Sequence, residues 1–243
     1  MPSDLLARVL TYTLIPAAAT ILGGVIAAYR TPGPQLRSGV QHFAAGVVFA
    51  AVAVELLPDV VHERAPVAAV IGFALGIATL LIVKRLTERL GGAEASAGNA
   101  SPTSLLVTLG IDIGIDGLLL GIGFAAGAKQ GVLLTIALTL ELLFLGLAAA
   151  AALGRAGASR ARVIGTTSGL ALVLLVGATA GTLLFGGLAG APFEAVLAFG
   201  VAALLYLVTE ELLIEAHEVP ETTAITAAFF AGFLLLLVID MVT

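Results

Sequence analysis

Long apolar runs alternate with short clusters of charged residues, Pro and Gly along the whole chain. Read between those breaks, the pattern predicts eight spans, near 6–29, 38–57, 66–84, 104–128, 131–153, 162–188, 194–214 and 222–241. As helix, at about 1.5 Å per residue, runs of this length reach across the roughly 30 Å of a bilayer's hydrocarbon. Lipid offers no partner to a free N–H or C=O, so each run is expected either as a helix or as a strand of a closed barrel. Barrel strands alternate polar and apolar positions over about ten residues, and these runs do not. The predicted fold is therefore an all-α integral membrane protein, an eight-helix bundle forming a single transmembrane domain over residues 1–243. The break at 89–103, rich in Gly, Ala and Ser, reads as a loop rather than a domain linker. The first run follows Asp4 and Arg8 and contains Ala17-Ala18-Ala19, as a signal peptide would. Its apolar core is unbroken from Val9 to Tyr29, longer than the roughly 7–15 residues of a signal's apolar region, which predicts a retained span. No internal repeat is visible at this level.

Composition agrees with the pattern. The chain is 60% hydrophobic and 11% charged, against about 25% charged for soluble domains. The placement of charge says more than its sum. Arg30, Arg37, Lys84, Arg85, Arg89, Arg155, Arg160 and Arg162 fall on one side of the eight spans, and Arg8, Arg64 and Lys129 on the other. Basic residues collect on the cytoplasmic side, so both termini are expected outside and the loop 89–103 inside, in the cell membrane. The expected partners are the lipid bilayer and a small cation, with a homodimer as the candidate assembly and no nucleic acid. There is no cysteine, which leaves only oxygen and imidazole to bind a metal and excludes a thiol nucleophile.

A charged side chain at the bilayer centre costs roughly 3 kcal/mol on insertion scales, so it is expected to face a cavity or a partner. Asp112, Asp116 and Glu141 are the deepest acids in the predicted spans. Asp112 and Asp116 are one helical turn apart, about 40° round the axis, and so share a face. Gly110, Gly114, Gly117 and Gly121 form a second face that admits a neighbouring backbone. A short turn around Lys129-Gln130-Gly131 joins the fourth span to the fifth, and antiparallel packing sets Glu141 opposite the aspartates. Three carboxylates in one poorly hydrated space repel unless protonated or bridged by a cation, and no Lys or Arg lies within the interior of a span to neutralise them. Buried acids that merely hydrogen-bond between helices are the plain alternative, and it weakens as the acids cluster.

Two further groups flank these acids. Glu211 and Glu215 share a face near the end of the seventh span, close to Glu210, His217 and Glu218. Glu211, a few residues beyond an apolar run, joins the metal set, while Glu215, His217 and His42 form a candidate exit on the cytoplasmic side. Glu55 and Asp59, beside His62 and Glu63, form a candidate entrance at the outer end of the second span, with Glu194 in a later outer loop.

These residues resemble the Zrt- and Irt-like (ZIP) metal transporters over nearly the whole chain. His42-Phe43-Ala44-Ala45-Gly46 through Glu55-Leu56-Leu57-Pro58-Asp59 resembles the family's F-x-A-G…E-L-L-P-E pattern. Ser168-Gly169-Leu170 resembles the start of S-G-L-x-E-P, and the stretch Tyr206 to His217 is similar to E-E-L-L-P-E-x-H. The resemblance implies a ZIP-like fold of eight spans with both termini outside, and a transport site in the fourth and fifth spans. The family's H-N-x-P-E-G reads here as Asp112-Ile113-Gly114-Ile115-Asp116-Gly117, and its second motif as Glu141 within Leu140 to Leu145. The glutamate of the sixth span falls on Leu172. With aspartate and leucine at the histidine positions, the set is carboxylate-rich and suits oxygen-seeking ions such as Mn²⁺.

The function expected from the sequence is transport of a divalent metal cation (zinc, manganese, iron or similar), with metal ligands Asp112, Asp116, Glu141 and Glu211. The metal is cargo, and no cofactor is expected. The alternative is a ZIP-like protein that no longer transports metal and senses protons or cations. More remote is an intramembrane aspartyl protease, whose paired aspartates would sit on two helices, whereas Asp112 and Asp116 share one. No H-E-x-x-H pattern occurs and no span carries two histidines, which excludes a metalloprotease of that type, and as a carrier the chain is not expected to be an enzyme.

Overall fold

The computed structural model describes residues 2–30, 32–95, 102–217, 219–220 and 222–242, side chains excepted at 2–3, 63, 88–95, 102–105 and 215. Every regular element among the described residues is helical. Eight helices are long and apolar enough to cross a membrane, the build of a multi-pass membrane protein: Asp4–Tyr29, Pro34–His62, Pro66–Thr87, Leu106–Ala126, Ala128–Arg155, Arg160–Phe185, Ala191–Leu212 and Thr223–Val242. They are called the first to eighth spans below. Short connections reverse the chain between them, so both ends of the chain lie on one face of the bundle, the termini face.

Two boundaries differ from the sequence expectation. The third helix does not stop near residue 84 but continues from Pro66 to Ala95, into the expected loop 89–103. Glu88, Arg89 and Leu90, then Ala93, Glu94 and Ala95, are good helix formers on either side of Gly91-Gly92, and the helix runs on past the apolar segment. Residues 96–101 of that loop lie outside the described residues. The turn between the fourth and fifth spans is also tighter than expected. Only Gly127 interrupts the helices ending at Ala126 and starting at Ala128, which puts Lys129 and Gln130 in the first turn of the fifth span rather than in a loop.

Lipid tails are as apolar as leucine, so membrane helices associate through close van der Waals fit, which small residues permit. Glycines mark the tightest seams. A Cβ on Gly117 would lie 2.2 Å from the Leu174 carbonyl oxygen, and one on Gly181 would lie 2.4 Å from that of Leu118, so the fourth and sixth spans meet backbone to backbone. Gly23 and Gly146 seat the first span on the fifth in the same way, Gly46 and Gly232 the second on the eighth, and Gly72 the third on the seventh. Of the glycine face read from the sequence, Gly117 and Gly121 are packed against backbone, whereas Gly110 has nothing nearer to its Cβ position than Leu170 at 3.8 Å.

These seams sort the spans into two bundles. The first, fourth, fifth and sixth pack together, and so do the second, third, seventh and eighth. The pairing has an internal symmetry: the first span lies on the fifth as the sixth lies on the fourth, and the second lies on the eighth as the seventh lies on the third. Spans one to three thus correspond to spans six to eight in inverted orientation, and the matching Glu55-Leu56-Leu57 and Glu211-Leu212-Leu213 of the second and seventh spans are the trace it leaves in the residues. The corresponding second and seventh spans both widen into a π-helical turn, at Val52–Leu56 and Leu207–Leu212. In the second span Pro58 supplies a cause, since its ring cannot donate to residue 54 and crowds that carbonyl. The one proline of the seventh, Pro192, lies in its first turn, far from the widened turn.

Candidate cation site

Asp112 and Asp116 project from one face of the fourth span, as their four-residue spacing requires. Asp116 is 2% exposed, Glu141 in the fifth span is fully buried, and Asp112 is half-buried. Between the bundles lies a cavity of about 230 Å³, walled by Asp112, Glu141, Tyr206, Glu210 and Glu211 among others. A smaller cavity of about 20 Å³ adjoins it and carries Asp112, Asp116 and Glu211 on its wall. All four carboxylates of the expected metal set therefore face one crevice. The fourth and fifth spans supply three of them and the seventh supplies Glu211 from the other bundle.

The crevice opens toward the face opposite the termini, past Lys84 and Thr87 of the third span and Ile214 beyond the seventh. Lys84 Nζ lies 3.1 Å from Glu210 Oε2, both about half exposed, so this pair sits at the mouth rather than among the deep acids. At the deep end Asp116 Oδ2 is buried and has no hydrogen-bond partner among the described residues. Asp116 is on the wall of the smaller cavity, whose roughly 20 Å³ is room enough for a water or a small ion. The carboxylates are strung along the crevice. Among the described residues no three His, Asp or Glu side chains stand close enough together to enclose a metal ion.

The remaining candidates occupy both ends of the second bundle. His42 and His217 come together opposite the termini with ring centres 5.1 Å apart. His42 Nδ1 is 2.9 Å from the Ser38 carbonyl oxygen, and Ser38 Oγ donates to the Ala216 carbonyl at 2.6 Å, tying the second span to the end of the seventh. The Glu215 side chain, and Glu218 altogether, lie outside the described residues. On the termini face Glu55, in the π turn, is 7% exposed and stands 3.7 Å from Lys129 Nζ. Asp59 accepts a hydrogen bond from Gln130 Nε2 at 2.9 Å. Glu194 is 1% exposed and accepts from the backbone N–H of Ala65 at 3.0 Å, capping the start of the third span rather than standing in a loop. Leu172, where the resemblance places a ligand, is 63% exposed on the outer surface.

Three participants escaped the sequence reading: Tyr206 and Glu210 on the crevice wall, and Asp240, which lies 2.8 Å from Lys129. Glu210 stood in the acidic group at the end of the seventh span without a role among the ligands, and Asp240 stood outside every group; the tertiary contacts give each its place. Comparison with known proteins finds no matching family model and no matching curated protein.

Proposed function

We propose that this chain is a ZIP-type carrier of divalent metal cations in the cell membrane, with Asp112, Asp116, Glu141 and Glu211 as the ligands that pass the ion along. The observation that supports the reading is the convergence of these four carboxylates on one crevice between two separately packed bundles. Carboxylates from different helices at membrane depth are costly unless a cation or proton shares them. A crevice bounded by both bundles changes shape when one rocks against the other, which is how alternating access works in many carriers. In this reading both termini are outside. The ion arrives past Glu55 and Asp59 and leaves past Glu215, His217 and His42, and the carrier is a homodimer. The metal is the cargo, and Glu or Asp oxygens completed by water or backbone carbonyl favour a harder ion over one that prefers imidazole.

A second reading follows from the spacing of the acids. Because no three of them enclose a point among the described residues, a protein that only senses cations or protons would look the same. Uptake of Mn²⁺ into vesicles containing the purified chain separates the two. Uptake is expected with the native chain and should fall roughly tenfold or more with Asp116→Asn, while Asp4→Asn, at the exposed start of the first span, retains it. Equal uptake by the two variants, or none by the native chain, removes the transport reading.

A further inference from the structure

The boundary between the bundles is open at one end and tied at the other. On the termini face Lys129, in the first turn of the fifth span, places Nζ 2.8 Å from Asp240 Oδ1 in the eighth span and 3.7 Å from Glu55 Oε1 in the second. The same ammonium donates to the Asp240 backbone carbonyl at 3.1 Å, and the neighbouring Gln130 donates to Asp59. Every one of these contacts runs from the first bundle to the second. The ion pair at the opposite face, Lys84 with Glu210, joins the third span to the seventh within one bundle, so it does not hold the boundary.

We propose that Lys129 is a latch, a tethered cation whose contact with Glu55 and Asp240 closes the termini face and favours the state in which the crevice opens to the opposite face. Its consequence rests on the transport reading, and the contact itself does not. Glu55 is buried and meets Asp240 through its side chain, so withdrawing the ammonium would leave two neighbouring carboxylates without the charge they share, and the closed arrangement is favoured while Lys129 is in place. The lysine side chain is 43% exposed. Water can therefore take over its solvation, which makes the latch releasable. Release frees Glu55 and leaves it at the mouth with Asp59, so the two carboxylates of the candidate entrance become available only when the termini face parts.

The chain has no cysteine of its own, so a single introduced cysteine is a unique reporter. Leu145→Cys places a thiol on the crevice wall, and Ser159→Cys places one on an exposed connection away from it. In lipid nanodiscs without metal, Lys129→Gln is expected to slow labelling of Cys at 145 by a hydrophilic maleimide roughly threefold or more, with the rate at 159 unchanged. Lys129→Arg should restore the native rate. Asp240→Asn removes the same contact from the partner's side and should slow the reaction likewise, so the test survives misfolding of either variant. Unchanged labelling at 145 in both neutralised variants overturns the latch. A labelling difference in a chain that takes up no metal would keep the latch and remove the transport reading.

Discussion

Asp112 of the fourth span and Glu211 of the seventh line the same two adjoining cavities, one from each bundle. An ion bound between them would fasten the bundles together, and a ligand that binds the folded state alone stabilises it by about 2.7 kcal/mol at a hundredfold excess over its Kd. We therefore expect Mn²⁺ to raise the melting temperature of the purified protein. Asp112→Asn and Glu211→Gln should each remove most of that rise, with the double variant little worse than either single one. Additive losses in a thermal-shift titration would mean that the two carboxylates do not share the ion.

Ion preference follows from the ligand atoms. The crevice offers Asp112, Asp116, Glu141, Glu210 and Glu211, and neither His42 nor His217 is on its wall. Mn²⁺ is therefore expected to compete well with Zn²⁺ at equal concentration. Stabilisation by Zn²⁺ at concentrations roughly a hundredfold below those of every harder ion would contradict an oxygen-only site.

The seam between the fourth and sixth spans gives a prediction free of any functional reading. Gly117→Val drives a side chain into the Leu174 backbone 2.2 Å away, whereas Gly110→Ala meets nothing closer than 3.8 Å. The first should destabilise by at least the 1–3 kcal/mol, about the usual cost, of overpacking a core. The second should stay within about 0.5 kcal/mol. Melting of the two proteins in the same detergent checks the contrast.

Glu194 holds the start of the third span. Glu194→Ala leaves the Ala65 N–H without its carboxylate acceptor, which should cost about 1–3 kcal/mol. Glu194→Gln keeps an acceptor oxygen and should lose less. Equal melting temperatures for the two variants would show that the bond contributes nothing.

Helix positions were legible in the residues because lipid forces each apolar stretch to satisfy its own backbone, and that requirement is local to the stretch. The same locality made Asp112 and Asp116 readable as one face, and both line the smaller cavity. In the third span the apolar run marks the membrane segment, Pro66–Thr87 by length and composition, while the helix itself continues to Ala95. Only the tertiary structure decided which spans pair, that spans one to three and six to eight are inverted counterparts, and that Lys129 meets Asp240 and Glu55. Glu194 read as a rim acid and proved to be a cap. Such pairings depend on small residues meeting across helices far apart in the chain, as Gly46 meets the Phe229 backbone. The same apolar face is open to several equally apolar neighbours, so the choice among them is made by shape, which periodicity along one helix does not encode.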